Sequence, residues 1–174
     1  MLNPRLPKSI FVFLVVLAFI YFWNFYSQLP EVVASHFDRW GRPNGWQPKS
    51  SFFTVFLAAT ALAAFLVFGP SGLIRVMPVR LINLPNKHYW LGPEQRESTL
   101  DYLGSYFAWF GCAVFLVIFF AFDHAVRSNL HPDHPPSSAR LWFPLITFLG
   151  LTLVGTSRLL IRFTRPPQDP SLSP

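Results

Sequence analysis

Charge is what this chain most lacks. Asp, Glu, Lys and Arg make up 13% of its 174 residues, against about 25% in an average soluble domain. The shortage is not spread evenly. No charged residue occurs in the 22 positions between Lys8 and Glu31, the 25 between Lys49 and Arg75, the 21 between Asp101 and Asp123, or the 17 between Arg140 and Arg158. A membrane-spanning helix needs roughly 17 to 25 mostly apolar residues. Four such helices are therefore expected, at about 10–26, 52–68, 103–122 and 141–161. The fold class that follows is an all-α integral membrane protein with one four-helix domain over 1–163. Strict alternation of apolar and polar residues is missing, which excludes a β-barrel.

Cysteine is nearly absent. The one cysteine, Cys112, falls in the third span and reads as a small apolar residue. It allows no internal disulfide and no paired-cysteine metal site. Nucleotide-binding Walker and Rossmann patterns, the nucleophile elbow and the HExxH zinc motif are missing too. No expected span carries a charge deep within it, which argues against an ion or proton pathway. Asn24 and Thr152 are mild polar residues. Gly104, Gly111, Gly150 and Gly155, with Ala108 and Ala113, are suited to close helix contacts.

The net charge is +6. In a soluble protein that would raise nucleic acid as a partner, but here orientation explains it and no nucleic acid is expected. Nine of the fourteen basic residues fall with the N-terminus, the loop between spans two and three, and the end of span four. The positive-inside rule then places both termini in the cytoplasm. The first span follows Arg5 and Lys8 but lacks a small-x-small cleavage pattern, so it reads as an uncleaved anchor.

The cytoplasmic loop is broken by Pro70, Pro78, Pro85 and Pro93. Its mixture of aliphatic residues with Arg suits the lipid headgroups, with Tyr89 and Trp90 as interfacial anchors. A helix is expected to begin near Pro93, with Glu94 and Glu97 at its N-terminus, and to run through the third span. The tail at 164–174 is rich in proline and is expected to be disordered unless a partner holds it.

Between the first two spans lies a polar stretch, LPEVVASHFDRWGRPNGW, at 29–46. Gly41 and the pair Asn44-Gly45 supply turn chemistry. Trp40 and Trp46 are rings that favour an interface. The expected result is a compact external cap that presents His36 and Asp38. That pair could act as a structural hydrogen-bond pair, as a recognition element, or as metal ligands. A second external stretch, FDHAVRSNLHPDHPPSSAR, adds His124, His131 and His134 beside Asp123 and Asp133. With His36 these are candidate zinc ligands, although the prolines of His131-x-x-His134 deny it helical ligand spacing. A solvated polar turn is the plainer reading of this stretch.

The order Leu29-Pro30, Ser35-His36-Phe37-Asp38, Gly41-Arg42-Pro43-Asn44-Gly45-Trp46 and Lys49 resembles a widespread bacterial membrane domain of unknown function. The same domain occurs in SdpI-like immunity proteins, which protect cells against a secreted, membrane-active peptide toxin. There too it joins the first two membrane helices. In the second half, Asn86 and Lys87 match an Asn-Lys element of those proteins, whereas their Gly-Tyr-Arg-Thr element has no counterpart.

The expected protein is thus a non-enzymatic component of the bacterial inner membrane. Its partners would be the lipid bilayer and a peptide or membrane protein bound through the external loop, as in an immunity or sensor role. His36, Asp38, Trp40, Asn44 and Trp46 are the expected binding residues, and no cofactor is expected. Two alternatives stand beside it. One is an accessory subunit of a larger membrane complex. The other is a metal-dependent membrane enzyme using the external His and Asp residues. The 20 phenylalanines suit contact with lipid, pigment or protein equally well.

Overall fold

The computed structural model describes residues 5–165. The chain runs α1 (Arg5–Tyr26), β1 (Val32–Phe37), β2 (Pro43–Pro48), α2 (Lys49–Val76), a 3₁₀ turn (Val79–Leu81), α3 (Lys87–Trp90), α4 (Arg96–Leu130) and α5 (Ala139–Thr164). Four of these helices, α1, α2, α4 and α5, are long and apolar enough to cross a membrane. The protein is a multi-pass membrane protein with a short β-hairpin between its first two spans. The hairpin and the α4–α5 loop share one face. The 77–95 segment and the outer ends of α1 and α5 share the other. The proline-rich tail lies outside the described residues beyond Arg165.

Every expected span falls inside one of these helices, but three of them are extended by polar turns. α2 continues past Gly69 and Pro70 to Val76. Pro70 removes one helical hydrogen bond, and the helix survives because its last turn is held from outside. There Arg75 pairs with Glu97 and Asp101 of α4. α4 begins at Arg96 rather than near Pro93, because 92–95 form a turn in which Gln95 N–H donates to the Gly92 carbonyl at 3.2 Å. At its other end α4 runs on to Leu130, about two turns past the last residue of the expected span.

α4 is the centre of the bundle and touches α1, α2, α5 and β1. Its closest neighbour is α2, and Gly111 is what lets them approach. A Cβ at that position would lie 2.5 Å from Val67 Cγ2 and 3.1 Å from the Ala63 carbonyl oxygen. Gly104 and Gly155 also face neighbours, Ser71 and Tyr106, but Gly150 faces open space. Phe11, Phe22, Phe52, Phe56 and Phe115 build the main core among α1, α2 and α4, so these phenylalanines meet protein.

A second, smaller core lies at the end opposite the hairpin. It joins Trp90, Leu100 and Leu103 to Phe163 of α5. Trp90 is therefore buried at 6% exposure and is not the headgroup anchor expected from its composition. Its indole Nε1–H donates to the Phe163 carbonyl at 3.2 Å. Asn86, in the left-handed region at φ 51°, donates to the Phe163 and Thr164 carbonyls at 3.0 and 3.2 Å. The last carbonyls of a helix have no partner within it, so this segment caps α5.

Candidate functional site

The hairpin owes its shape to the turn at 38–42. Asp38 Oδ1 accepts from the backbone N–H of Trp40 and of Arg42, both at 2.9 Å. The Asp38 and Arg42 backbones also pair at 2.9 Å. Gly41 takes φ 80° at the crest, a value that favours glycine. Asp38 Oδ1 is thus spent on the turn, the structural role among those expected for this residue, while the side chain stays partly exposed. Asn44 and Gly45 do not form the turn either. They lie in β2, where Gly45 pairs with His36. The register slips between Ala34 and His36, so Ser35 is the irregular residue of β1.

The hairpin is mounted on the helices at three places. At its base, Lys49 pairs with Glu31 at 2.9 Å and lies 5.0 Å from the Tyr26 ring centre. Along β1, Asn129 of α4 clasps the strand. Its Oδ1 accepts from Ala34 N–H at 2.8 Å, and its Nδ2 donates to the Ala34 carbonyl at 2.9 Å and the Ala125 carbonyl at 2.8 Å. At the crest, Trp142 of α5 donates from Nε1 to the Arg39 carbonyl at 3.0 Å. Val33 and Ala34 are buried beneath this mount.

Under the hairpin lies a buried polar cluster. Asp123 is 4% exposed. It accepts a hydrogen bond from the Tyr21 hydroxyl of α1, pairs with Arg127 at 2.8 Å, and pairs with Arg140 of α5 at 3.4 Å. One carboxylate therefore ties three helices together. His124, the next residue, is fully buried. Its ring meets Phe37 edge-on at 4.9 Å between centres, and Gly41 passes just above its Cε1. Among the described residues neither ring nitrogen makes a well-formed hydrogen bond, and the Gly41 backbone is the polar group that interacts with the ring.

These facts correct the reading of 122–140 as a solvated turn. Its first half is helix, and Asp123 and His124 are interior residues. Only 131–138 is an exposed loop, and it carries His131, Asp133 and His134. The four candidate zinc ligands are not gathered. His124 lies under the turn, His36 sits on β1 with Nδ1 3.1 Å from Ser35 Oγ, and His131 and His134 belong to the loop. Among the described residues no group of three or more His, Cys, Asp or Glu is placed to hold a metal ion.

What the hairpin does present is aromatic. Trp40 and Trp46 are each 61% exposed. The Arg39 guanidinium stacks on Trp40 at 3.9 Å from the ring centre. Asn44 is exposed on β2. Sequence reasoning missed Tyr21, Arg127, Asn129 and Trp142, the residues that fix this platform. One signal was available: Asp123 and Arg127 stand at the i,i+4 spacing of a helical ion pair.

Residues 13–67 match a sequence family described as "Domain of unknown function (DUF1648)". The match takes in most of α1, the whole hairpin and most of α2, and leaves α4 and α5 outside it. No curated protein and no solved structure matches the chain.

Proposed function

We propose that this is a non-enzymatic protein of the bacterial inner membrane that recognises a peptide or another membrane protein through the outer face of its hairpin. One observation carries the reading: two largely exposed tryptophans, one stacked with an arginine, stand on a hairpin clasped from three sides. Tryptophan and arginine dominate the energetics of binding surfaces. A rigid mount reduces the ordering cost of binding. Trp40, Trp46 and Asn44 make the contact, His36 flanks it, and Asp38 shapes the turn. The resemblance to SdpI-like immunity proteins points to a secreted membrane-active peptide as the ligand, in an immunity or sensor role.

A photo-crosslinking residue in place of Trp46 tests this in native membranes. A discrete peptide or protein adduct, lost when Trp40→Ala is added, supports the proposal. Adducts to lipid alone would make the two tryptophans interfacial anchors and end it.

A second reading has its own observation. The most apolar stretch of α5 buries none of its residues within the chain, and Phe143 and Leu153 are 73% and 70% exposed. A helix so uncovered also suits an accessory subunit packed on a larger membrane complex. Gentle detergent extraction and native sizing separate the two. A monomer or small homo-oligomer favours recognition by the hairpin, and a fixed set of other subunits favours the accessory role.

A further inference from the structure

α5 packs on α4 along its length, with the Phe110 and Phe148 rings 5.7 Å apart and Tyr106 hydrogen-bonded to Thr156. Two open-sided apolar cavities remain beside these contacts, of about 420 and 520 Å³. They share Ala113, Leu116 and Leu151, so they form one cleft along the helix pair. Its larger half also borders Leu14 of α1. This half lies toward the face that carries Arg5 and Arg165, and it spans α4 from Tyr102 to Leu116. That is about 21 Å along a helix axis, more than the roughly 15 Å hydrocarbon depth of one leaflet.

The wall of this half contains Arg158. Three other arginines toward this face are committed: Arg162 stacks on Tyr102 at 4.2 Å, and Arg75 and Arg96 pair with Glu97. Among the described residues Arg158 has no ion pair or hydrogen bond. Arg158 sits about 10 Å from the midpoint of α5 along its axis, inside the roughly 15 Å half-thickness of the hydrocarbon core. The exposed side chain is long enough to snorkel from there to the headgroup level, where lipid phosphate is the anion within reach. Tyr102 and Tyr106 line the same end, and Tyr106 shares a hydrogen bond with Thr156 at 3.0 Å. The larger half is therefore apolar along its length and cationic at its headgroup end, while Arg140, which borders the smaller half, is paired with Asp123.

We propose that this cleft holds one anionic phospholipid from the adjacent leaflet, with an acyl chain along Leu14 and Leu151 and its phosphodiester on Arg158. A zwitterionic headgroup brings its own ammonium to the same place and is the poorer match. The site is independent of the hairpin.

The test uses the full chain in nanodiscs of equal phosphatidylglycerol and phosphatidylethanolamine, extracted into dodecyl maltoside and read by native mass spectrometry. One phosphatidylglycerol per chain is expected to survive a delipidating wash. R158Q is expected to reduce that occupancy about five-fold, the worth of one basic residue near an anionic surface. Ala113→Phe, which fills the shared middle of the cleft, is expected to expel the lipid with Arg158 intact. Circular dichroism and monodispersity check that both variants are folded. Equal retention of the two lipids by the wild-type chain would overturn the proposal, and so would undiminished phosphatidylglycerol on folded R158Q. If either variant aggregates, the headgroup preference of the wild-type chain decides alone.

Discussion

Replacing Asn129 with alanine is expected to release the hairpin from α4 while the helices stay folded. The side chain supplies both hydrogen bonds that tie β1 to the bundle, to Ala34 N–H and to its carbonyl. Ala34 is 5% exposed, so water does not readily replace these partners. Leaving a buried donor or acceptor unsatisfied costs about 1–3 kcal/mol. Two such groups, with some relaxation, give about 2–4 kcal/mol, or roughly 30-fold to several hundred-fold in the population of the open hairpin. Local opening of this kind appears in amide hydrogen exchange. Exchange over 32–48 is expected to accelerate by that factor in a lipid nanodisc, with little change in α2 or the middle of α4. Asn129→Asp keeps the acceptor but turns a carboxylate toward the Ala34 carbonyl, so it is not expected to rescue the strand. Asn24→Ala removes only a local bond to the Ile20 carbonyl and serves as the control. Unchanged exchange over 32–48 in Asn129→Ala would refute the clasp and weaken the case for a rigid recognition platform.

Two further outcomes follow from the packing. Asp123→Ala should lower thermal stability in detergent by about 1–3 kcal/mol, below the roughly 3–5 of a fully buried pair because Arg127 and Arg140 are 42% and 40% exposed and water takes up part of their charge; an unaltered unfolding temperature would show that the cluster does not hold the helices. Gly111→Leu should separate α2 from α4 and destabilise by about 1–3 kcal/mol or more, whereas Gly150→Leu, which meets open space, should leave the unfolding temperature unchanged; equal effects at the two positions would contradict the close approach at Val67.

The four spans were legible because lipid imposes the same demand on every residue that faces it. A stretch without charge is visible whatever its partners are. The polar ends were less legible, because a polar side chain reads alike whether it faces water or a neighbouring segment. Asp123, His124 and Asn129 looked like parts of a solvated turn, yet no glycine or proline interrupts 113–130, and the helix simply continues. Asp38 was identified as important, but its role is to fold the turn, which only the backbone bonds to Trp40 and Arg42 reveal. Asn44-Gly45 has the composition of a tight turn, but Gly41 takes that place because Asp38 organises the bend three residues earlier. Trp90 suited an interface by type, and its burial depended on Phe163, more than seventy positions away. Trp40 and Trp46 were read as rings that favour an interface, and both are left exposed on the hairpin.

The fastenings of α5 bear on how the molecule is made. Its hairpin end is held by Arg39 and Asp123, and its other end by Asn86 and Trp90. All four precede it in the chain. During synthesis, α1, the hairpin, α2 and α4 leave the ribosome first, and both landing points exist before Thr164 is added. α5 then joins a frame already standing. The long cleft runs along the seam between α5 and that frame and is open on one side.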